Sequence, residues 1–369
     1  MPDASIHLDM HQPLAHQAGK GHNRWHPDIP PKLRVKPGTS VELDVLDGVD
    51  GQIRAGMKNE DLGGIDMGRV HPLTGPVYVE GAEPGDLLAV KIEAVETIKY
   101  GFTAIMPGFG FLRDLFPNPF VVHWEIANGF AQSVQLPGVK IPGAPFMGVI
   151  GVAPSLELLQ KINAREAELL ARGGMVMPPD AAGAVPGDAG IASKAFRTIA
   201  PHENGGNFDI KQMTAGTTLY LPVFVPGALF SVGDPHFAQG DGESCGTAVE
   251  TAGKFVARFE VMQGEARRRK QHDPSYGCTC CPAPADGRPY YATTGMSVRR
   301  DGKAESEDLT LAARNALVNM IDYVVDAKGF SREQAYALAS VAVDLRISQV
   351  VDVPNMTVSA FLPLDIFGS

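Results

Sequence analysis

The sequence predicts a β-rich α+β protein, with sandwich-like or barrel-like sheets and a few helices, mainly in the C-terminal half. Pro-Gly turns recur between short apolar runs in the first half of the chain, a pattern typical of strands. Amphipathic helical patterns appear only after residue 154. A length of 369 residues exceeds one typical core. We therefore expect a β-rich N-terminal lobe over 1–175, a connector over 176–192 and an α+β C-terminal lobe over 193–369. A single large β-rich domain is the alternative.

Short apolar segments after turns give the strand predictions. Residues 40–45 and 86–92 each follow a Pro-Gly turn and alternate partly, and residues 215–221 begin in a similar manner. The apolar run 219–230 is expected to form a buried strand, and residues 247–260 form another. These last two strands flank a polar segment rich in glycine.

Helices are signalled by spacing and by their ends. Residues 155–172 carry leucine and isoleucine at helical spacing and stop at a Gly-Gly pair. Residues 307–328 form the longest candidate, which ends before Gly329. Ser331 and Gln334 form a capping box for a further helix that ends near residue 344.

The polar segment 231–250 carries the candidate chemistry. Asp234 and His236 are two residues apart, so in an extended chain both side chains face one side. A carboxylate and a neutral imidazole suit zinc or a similar divalent metal. Glu243 is the nearest candidate general base. The alternative is a hairpin in which the Asp and Gly residues only make turns.

Several other polar segments are also candidates for a functional role. The stretch 21–28 could line a pocket or dock as a polar arm, and Asp47 stands in an Asp-Gly pair that is typical of a tight turn. Residues 201–209 surround a glycine pair with groups able to hydrogen-bond an amide. The cluster Cys278, Cys280 and Cys281 lacks the paired spacing of a zinc ribbon, which favours a packed or surface cluster over a metal site.

Composition limits the partners. The net charge of -10, with both signs scattered along the chain, argues against nucleic acid and gives no signal for anionic lipid. A small neutral or cationic substrate fits better. The N-terminal segment lacks the pattern of a secretory signal, and no apolar run approaches the length of a membrane span. We expect a cytoplasmic protein.

Four segments together resemble the acetamidase/formamidase family: the loop 233–250, the stretch Thr74–Asp86, the Gly-Gly-Asn-Phe-Asp segment ending at Asp209, and the ending Ser340–Val351. The resemblance covers nearly the whole chain, and residues 22–25 (His-Asn-Arg-Trp) are closer to the formamidase branch. The resemblance implies hydrolysis of a short aliphatic amide to the carboxylic acid and ammonia, with formamide as the expected substrate. It also implies a cytoplasmic, metal-associated homo-oligomer.

On this basis a metal, with zinc expected, would be held by Asp234 and His236, together with Asp47 or His22, and would activate water. Glu243 would carry the proton as general base and then acid. Two further residues are predicted to be catalytic, Asn207 and His202. Three are predicted to bind the substrate: Asp209, Gly206 and Trp25. Two alternatives stay open: a thiol amidase with Cys245 as nucleophile, and a non-catalytic module that binds a small amide or urea.

Overall fold

The computed structural model describes residues 2–279 and 288–367. Within them strands predominate, and most belong to one continuous, mainly antiparallel sheet system. The strands are β1 Ala4–Ile6, β2 Gly21–His22, β3 Arg24–Trp25, β4 Leu33–Val35, β5 Ser40–Val45, β6 Leu73–Val79, β7 Leu87–Ile105, β8 Phe120–Ala127, β9 Phe130–Gln132, β10 Lys140–Pro142, β11 Phe146–Gly151, β12 Phe196–Arg197, β13 Gly205–Asn207, β14 Thr218–Pro222, β15 Phe230–His236, β16 Glu250–Met262, β17 Ser275–Cys278, β18 Tyr290–Met296, β19 Asp344–Gln349 and β20 Thr357–Pro363.

The α-helices of the described residues are α1 Leu156–Ala171, α2 Ala189–Ala192, α3 Glu265–Arg269, α4 Leu309–Lys328 and α5 Arg332–Ala342. Short 3-10 helices cover Leu14–Lys20, Asn59–Gly64, Met67–Arg69 and Leu364–Ile366. The β-rich α+β class is thereby confirmed. The three predicted long helices correspond to α1, α4 and α5. None of the helices in the described ranges is both long enough and apolar enough to cross a membrane.

Some of the predicted strands are confirmed and one is wrong. The strand 40–45 is found as β5, and residues 86–92 open the much longer β7. The apolar run 219–230 is not one strand, which corrects the prediction. The chain leaves β14 after Pro222 and enters β15 only at Phe230, because Ala228 and Leu229 adopt positive φ values of 58° and 57°. Such angles do not fit an extended strand.

Strands from both ends of the sequence lie side by side. β16 pairs with β5 on one edge and with β7 on the other, and β15 pairs with β6, β11 and β16. One buried apolar core joins these strands, with residues from the two predicted lobes in contact: Val41, Leu43, Val90, Phe230, Phe255 and Phe259. The division at 176–192 stays a prediction; the sheet and its core draw on both segments.

The segment 21–28 is docked as a polar arm. The buried guanidinium of Arg24 donates to the carbonyl oxygens of Asp180 and Ala182, at 2.8 and 2.9 Å from Nη2. Asn23 donates from Nδ2 to the Gly183 carbonyl at 2.9 Å. These bonds satisfy the polar backbone of the connector, so the arm holds that segment against the sheet.

Helix α5 begins with the predicted capping box. The Ser331 hydroxyl accepts from the Gln334 N–H at 3.2 Å, and Gln334 Oε1 accepts from the Ser331 N–H at 2.9 Å. Replacing Ser331 with Ala leaves backbone donors unsatisfied and is expected to lower the free energy of unfolding by about 1 kcal/mol. Urea denaturation would measure it, with the exposed Ser5→Ala as control. Equal losses in both variants would contradict the capping role.

The cysteine cluster is only partly described. Cys278 lies buried at the end of β17 and is disulfide-bonded. A sulfur in a disulfide is not a thiolate ligand, which agrees with a packed cluster rather than a metal site at this position. Cys280 and Cys281 lie outside the described residues.

Candidate active site

The end of β15 carries the centre of the candidate site. Asp234 Oδ2 lies 3.3 Å from His236 Nε2, so the two side chains face one point, although Asp234 is not in the extended conformation that the spacing argument assumed. Asp234 has a φ of 58°, which turns its side chain inward where the strand runs beside β11. The ring of His236 is packed edge-on against Phe146, with centroids 5.1 Å apart. Packing and backbone together fix both side chains.

Three further carboxylates surround the imidazole. Glu250, opposite His236 in the β15–β16 ladder, places Oε1 3.1 Å from Nε2. Glu243 Oε1 lies 3.9 Å from the same nitrogen, and Asp209 Oδ1 lies 3.7 Å from Nδ1. All five side chains are buried. We call His236, Asp209, Asp234, Glu243 and Glu250 the acidic cluster.

The acidic cluster contains buried polar atoms without hydrogen bonds. His236 Nε2, both carboxylate oxygens of Asp209 and Glu250 Oε2 have no hydrogen-bond partner, and neither does Oδ2 of the neighbouring Asp352. A buried polar atom without a partner costs about 1–3 kcal/mol, more when it is charged. Two triads have ligand atoms within 4.8 Å of one another: Asp209, His236 and Glu243, and Asp234, His236 and Glu250. Oxygen and imidazole donors in this arrangement fit a divalent cation.

Burial and mutual repulsion shift the pKa values of the cluster. Burial raises the pKa of Glu250 to about 8, although His236 opposes the shift. Burial, followed by the charge of Asp209, holds the pKa of Glu243 well above its usual value. Burial alone would lower the pKa of His236, but Glu250 and Asp234 raise it well above normal. Like charges so close favour shared protons or a bound cation.

Two glycines allow this crowding. A Cβ atom at Gly148 of β11 would lie 2.4 Å from Asp209 Oδ1 and 2.6 Å from Asp234 Oδ2. A Cβ at Gly48 would lie 2.1 Å from Asp234 Oδ1. Real Cβ contacts of that length do not occur, so only glycine lets the backbone approach the carboxylates.

Gly148→Ala is therefore expected to displace the Asp209 and Asp234 carboxylates and to reduce kcat/KM for amide hydrolysis by about 10²-fold. Steady-state ammonia release would measure it. Gly63→Ala is the control, since nothing lies within 4 Å of its added methyl group. Full activity in Gly148→Ala would show that these carboxylate positions do not matter.

A small pocket opens onto the cluster. Its volume is about 50 Å³. Its polar side includes Asn207, Asp234, Glu243, Glu250, Asp352 and His71, and its apolar side includes Val49, Met67, Val70, Met106, Phe109 and Ile199. Glu243 also borders a wider, mostly apolar surface cleft that contains Trp124, Ile141 and Cys245. Glu243 thus stands between the enclosed pocket and the cleft.

Two predicted residues lie in other surroundings. Both ring nitrogens of His22 are engaged, Nδ1 with the Arg24 carbonyl at 2.6 Å and Nε2 with the Ser231 hydroxyl at 2.7 Å. Among the described residues, no candidate metal group includes His22. Trp25 is buried in an apolar cluster with Phe196 and helix α1 residues. Neither side chain lines the pocket, and His22 instead contacts Ser231 of β15.

Asp47 and His202 also have other partners. The Asp47 carboxylate accepts from the N–H groups of Val49 and Gly51 at 3.1 Å, which is the turn reading of this Asp-Gly pair. Burial raises its pKa to about 7, with a smaller contribution from Asp234. His202 lies against α1, with Nε2 3.2 Å from Glu166 Oε1. Neither belongs to a candidate metal group of the described residues.

The segment 205–209 does reach the site. Asn207 lines the pocket, and its Oδ1 is buried without a hydrogen bond. Gly206 lies opposite Ile150 in the β13–β11 ladder, while the Gly205 N–H donates to the His202 carbonyl. Asp209 joins the acidic cluster itself, where we had predicted a substrate contact.

Sequence reasoning missed three pocket residues. Glu250 is the one charged residue at the start of an apolar strand, and Asp352 interrupts a valine run at 350–353. An isolated charge in an apolar segment is a usable signal, because burying it needs a partner. His71 Nε2 lies 4.0 Å from Asp234 Oδ2, and nothing in its local spacing pointed to the site.

Cys245 does not contact a base among the described residues. Its Sγ lies 3.4 Å from the Thr247 carbonyl and 3.7 Å from the Thr247 hydroxyl. Lys211 lines the same cleft, but its Nζ pairs with Asp241 at 3.2 Å. A nucleophilic thiol needs a base within hydrogen-bond reach.

The chain is similar to known proteins over most of its length. Residues 7–369 match the model of the Acetamidase/Formamidase family. The chain is 36% identical to a formamidase from Methylophilus methylotrophus, covering 98% of this chain and 93% of that protein. It is also 36% identical to an acetamidase from Mycolicibacterium smegmatis, covering 92% and 89% respectively.

Solved structures agree. A gamma lactamase from Delftia acidovorans superposes with a TM-score of 0.73 at 35% identity, over 99% of this chain and 94% of its own. An acetamidase from Bacillus halodurans gives a TM-score of 0.73 at 28% identity, over 94% and 96%. The protein is an amidohydrolase. It belongs to the acetamidase/formamidase family, which confirms the resemblance seen in the sequence.

Proposed function

We propose that this protein hydrolyses a short aliphatic amide, with formamide preferred, to the carboxylic acid and ammonia. Asp234, His236 and Glu250 would hold a divalent metal, zinc, that supports the reaction, and Glu243 would act as general base. The observation that carries this proposal is the buried cluster around His236, in which oxygens of Glu250, Asp234 and Glu243 lie 3.1, 3.3 and 3.9 Å from Nε2.

The donor set fits the metal. Asp234, His236 and Glu250 each offer one ligand atom, and these atoms lie within 4.8 Å of one another. A cation there would offset the repulsion among the carboxylates. Two carboxylates and one imidazole are ligand types found in catalytic zinc sites. When bound, zinc supplies a Lewis acid and brings the pKa of water to about 7.

The other roles belong to the chain. Glu243 would take a proton from the attacking water and return it to the departing nitrogen, because ammonia leaves poorly without protonation. The side-chain amide of Asn207, whose Oδ1 lacks a partner, would orient the substrate amide and hold the developing oxyanion. Burial of both groups excludes competing water.

The pocket supports a short substrate. A volume of about 50 Å³ accommodates only a few water-sized groups, at about 10–15 Å³ each. Its apolar side would contact a hydrogen atom or a methyl group of the acyl part. Formamide and acetamide have this size.

Ammonia release from a series of short amides, with and without chelation, tests the function. We expect activity on formamide to disappear on chelation and to return with zinc, and to survive alkylation of Cys245. Loss on alkylation together with indifference to chelation would instead support the thiol route. Ligand binding without ammonia release would support a binding module, which family membership does not favour. The cytoplasmic location and the homo-oligomer stay predictions.

A further inference from the structure

A glutamine beside the acidic cluster contacts the second nitrogen of His236. Gln239 Oε1 lies 3.0 Å from His236 Nδ1. Gln239 is three residues beyond His236, in the loop that joins β15 to β16. Gln239 takes no part in the proposed reaction.

The orientation of the Gln239 amide follows from its other contacts. Its Nε2 donates to the backbone carbonyl of Asp209 at 2.7 Å and to that of Ser348 at 3.4 Å. A backbone carbonyl can only accept, so the nitrogen end of the amide must face these two oxygens. The oxygen end therefore faces His236, without the ambiguity that usually affects glutamine side chains.

An amide oxygen can only accept a hydrogen bond, so Nδ1 of His236 must carry the proton that it accepts. Asp209 Oδ1, 3.7 Å from Nδ1, favours the same proton position. In a neutral ring the other nitrogen, Nε2, then keeps its lone pair. That lone pair points toward Asp234 and Glu250.

We propose that Gln239 is a positioning residue that fixes His236 as the Nδ1–H tautomer and thereby presents Nε2 to the metal site. This inference rests on the proposed function, because the tautomer matters only if Nε2 of His236 binds the metal. Residues that orient a metal-binding histidine through its second nitrogen typically change metal affinity by about 10–100-fold when replaced. Gln239 is itself held in place by its hydrogen bonds to the carbonyls of Asp209 and Ser348.

Zinc ion is the probe for the test. Metal-free wild type and Gln239→Met would be titrated with zinc against a chromophoric chelator. Spectra of ¹⁵N-histidine-labelled protein would report the His236 tautomer, with zinc and, without it, at a pH where the ring is neutral. We expect a protonated Nδ1 in the wild type, and in Gln239→Met a mixture of tautomers and zinc affinity about 10–100-fold weaker.

Gln271→Met is a matched control. Gln271 Nε2 also donates to two backbone carbonyls, those of Asp273 at 3.0 Å and Tyr220 at 3.4 Å, outside the pocket. The Gln271→Met substitution should leave the His236 spectrum and the zinc affinity unchanged. A neutral wild-type ring that carries its proton on Nε2 would overturn the inference, even if Gln239→Met did not fold. Wild-type affinity and tautomer in Gln239→Met would also overturn it.

The test separates this inference from the proposed function. A wild type that hydrolyses amides without binding zinc would refute the metal, while the spectrum would still decide the role of Gln239. A wild type that needs zinc but shows the other tautomer would refute Gln239 alone.

Discussion

Glu243→Gln is expected to lower kcat for formamide by about 10²–10⁴-fold while zinc content stays at the wild-type level. The substitution keeps the shape of the side chain and removes its ability to take up a proton. Glu243 is suited to proton transfer, because burial raises its pKa and because it stands between the pocket and the surface cleft. Steady-state ammonia release and elemental analysis of the same samples would measure both effects.

Glu250→Gln is the matched comparison. Glu250 is equally buried, but its Oε1 lies closer to His236 Nε2, at 3.1 Å against 3.9 Å for Glu243. We expect Glu250→Gln to lose zinc as well as activity. The reverse pattern, with zinc lost from Glu243→Gln and kept in Glu250→Gln, would exchange the roles and select the triad of Asp209, His236 and Glu243.

Metal-free protein is expected to become less stable as the pH rises from about 5 to 8. A carboxyl group with a raised pKa binds more protons in the folded state than in the unfolded state, so stability falls with rising pH between its two pKa values. For Glu250 this window runs from 4.5 to about 8. The raised pKa of His236 acts in the same direction, because its stabilisation is lost as the ring deprotonates.

Asp234 does not reverse this slope. Its pKa is lowered, since the charges of His236 and His71 outweigh the effect of burial. Its contribution is therefore already complete above pH 5 and is lost only on acidification. The loss that Glu250 contributes across the window is expected to be on the order of a few kcal/mol, which exceeds the opposing contribution of His22, whose pKa burial lowers to about 4.

Excess zinc should reverse the trend, because its ligands bind best when they are deprotonated. At a zinc concentration about 1,000 times Kd, the gain is about 4 kcal/mol. Urea denaturation at several pH values, with and without zinc, would show the two opposite slopes. Metal-free stability that rises over this pH range would contradict the arrangement of buried charges.

Local signals were sufficient for several elements of the fold. The capping box at Ser331, the glycine stop after α4 and the Pro-Gly turn before β5 each act within a few residues, and each was found as predicted. The break between β14 and β15 was not predicted, because it depends on the left-handed backbone at residues 228–229. Apolar composition carries no information about that angle.

The site divides in a similar way. Asp234 and His236 end strand β15 and Glu243 lies in the loop that follows, so their proximity could be inferred from their nearness in the sequence. Glu250 and Asp352 reach the pocket through strand pairing and a distant loop, which spacing along the chain does not reveal. His22 shows the opposite error: a polar, conspicuous segment near the N-terminus serves packing, because its ring bonds to Arg24 and Ser231.

The contacts between the 237–249 loop and the last strands have a consequence for assembly. Gly242 donates to the Ser348 carbonyl and accepts from the Val350 N–H, and Asp352 completes the pocket wall. Loop closures over such sequence distances form slowly and late. During synthesis, the pocket wall can thus be completed only after residue 352 has left the ribosome.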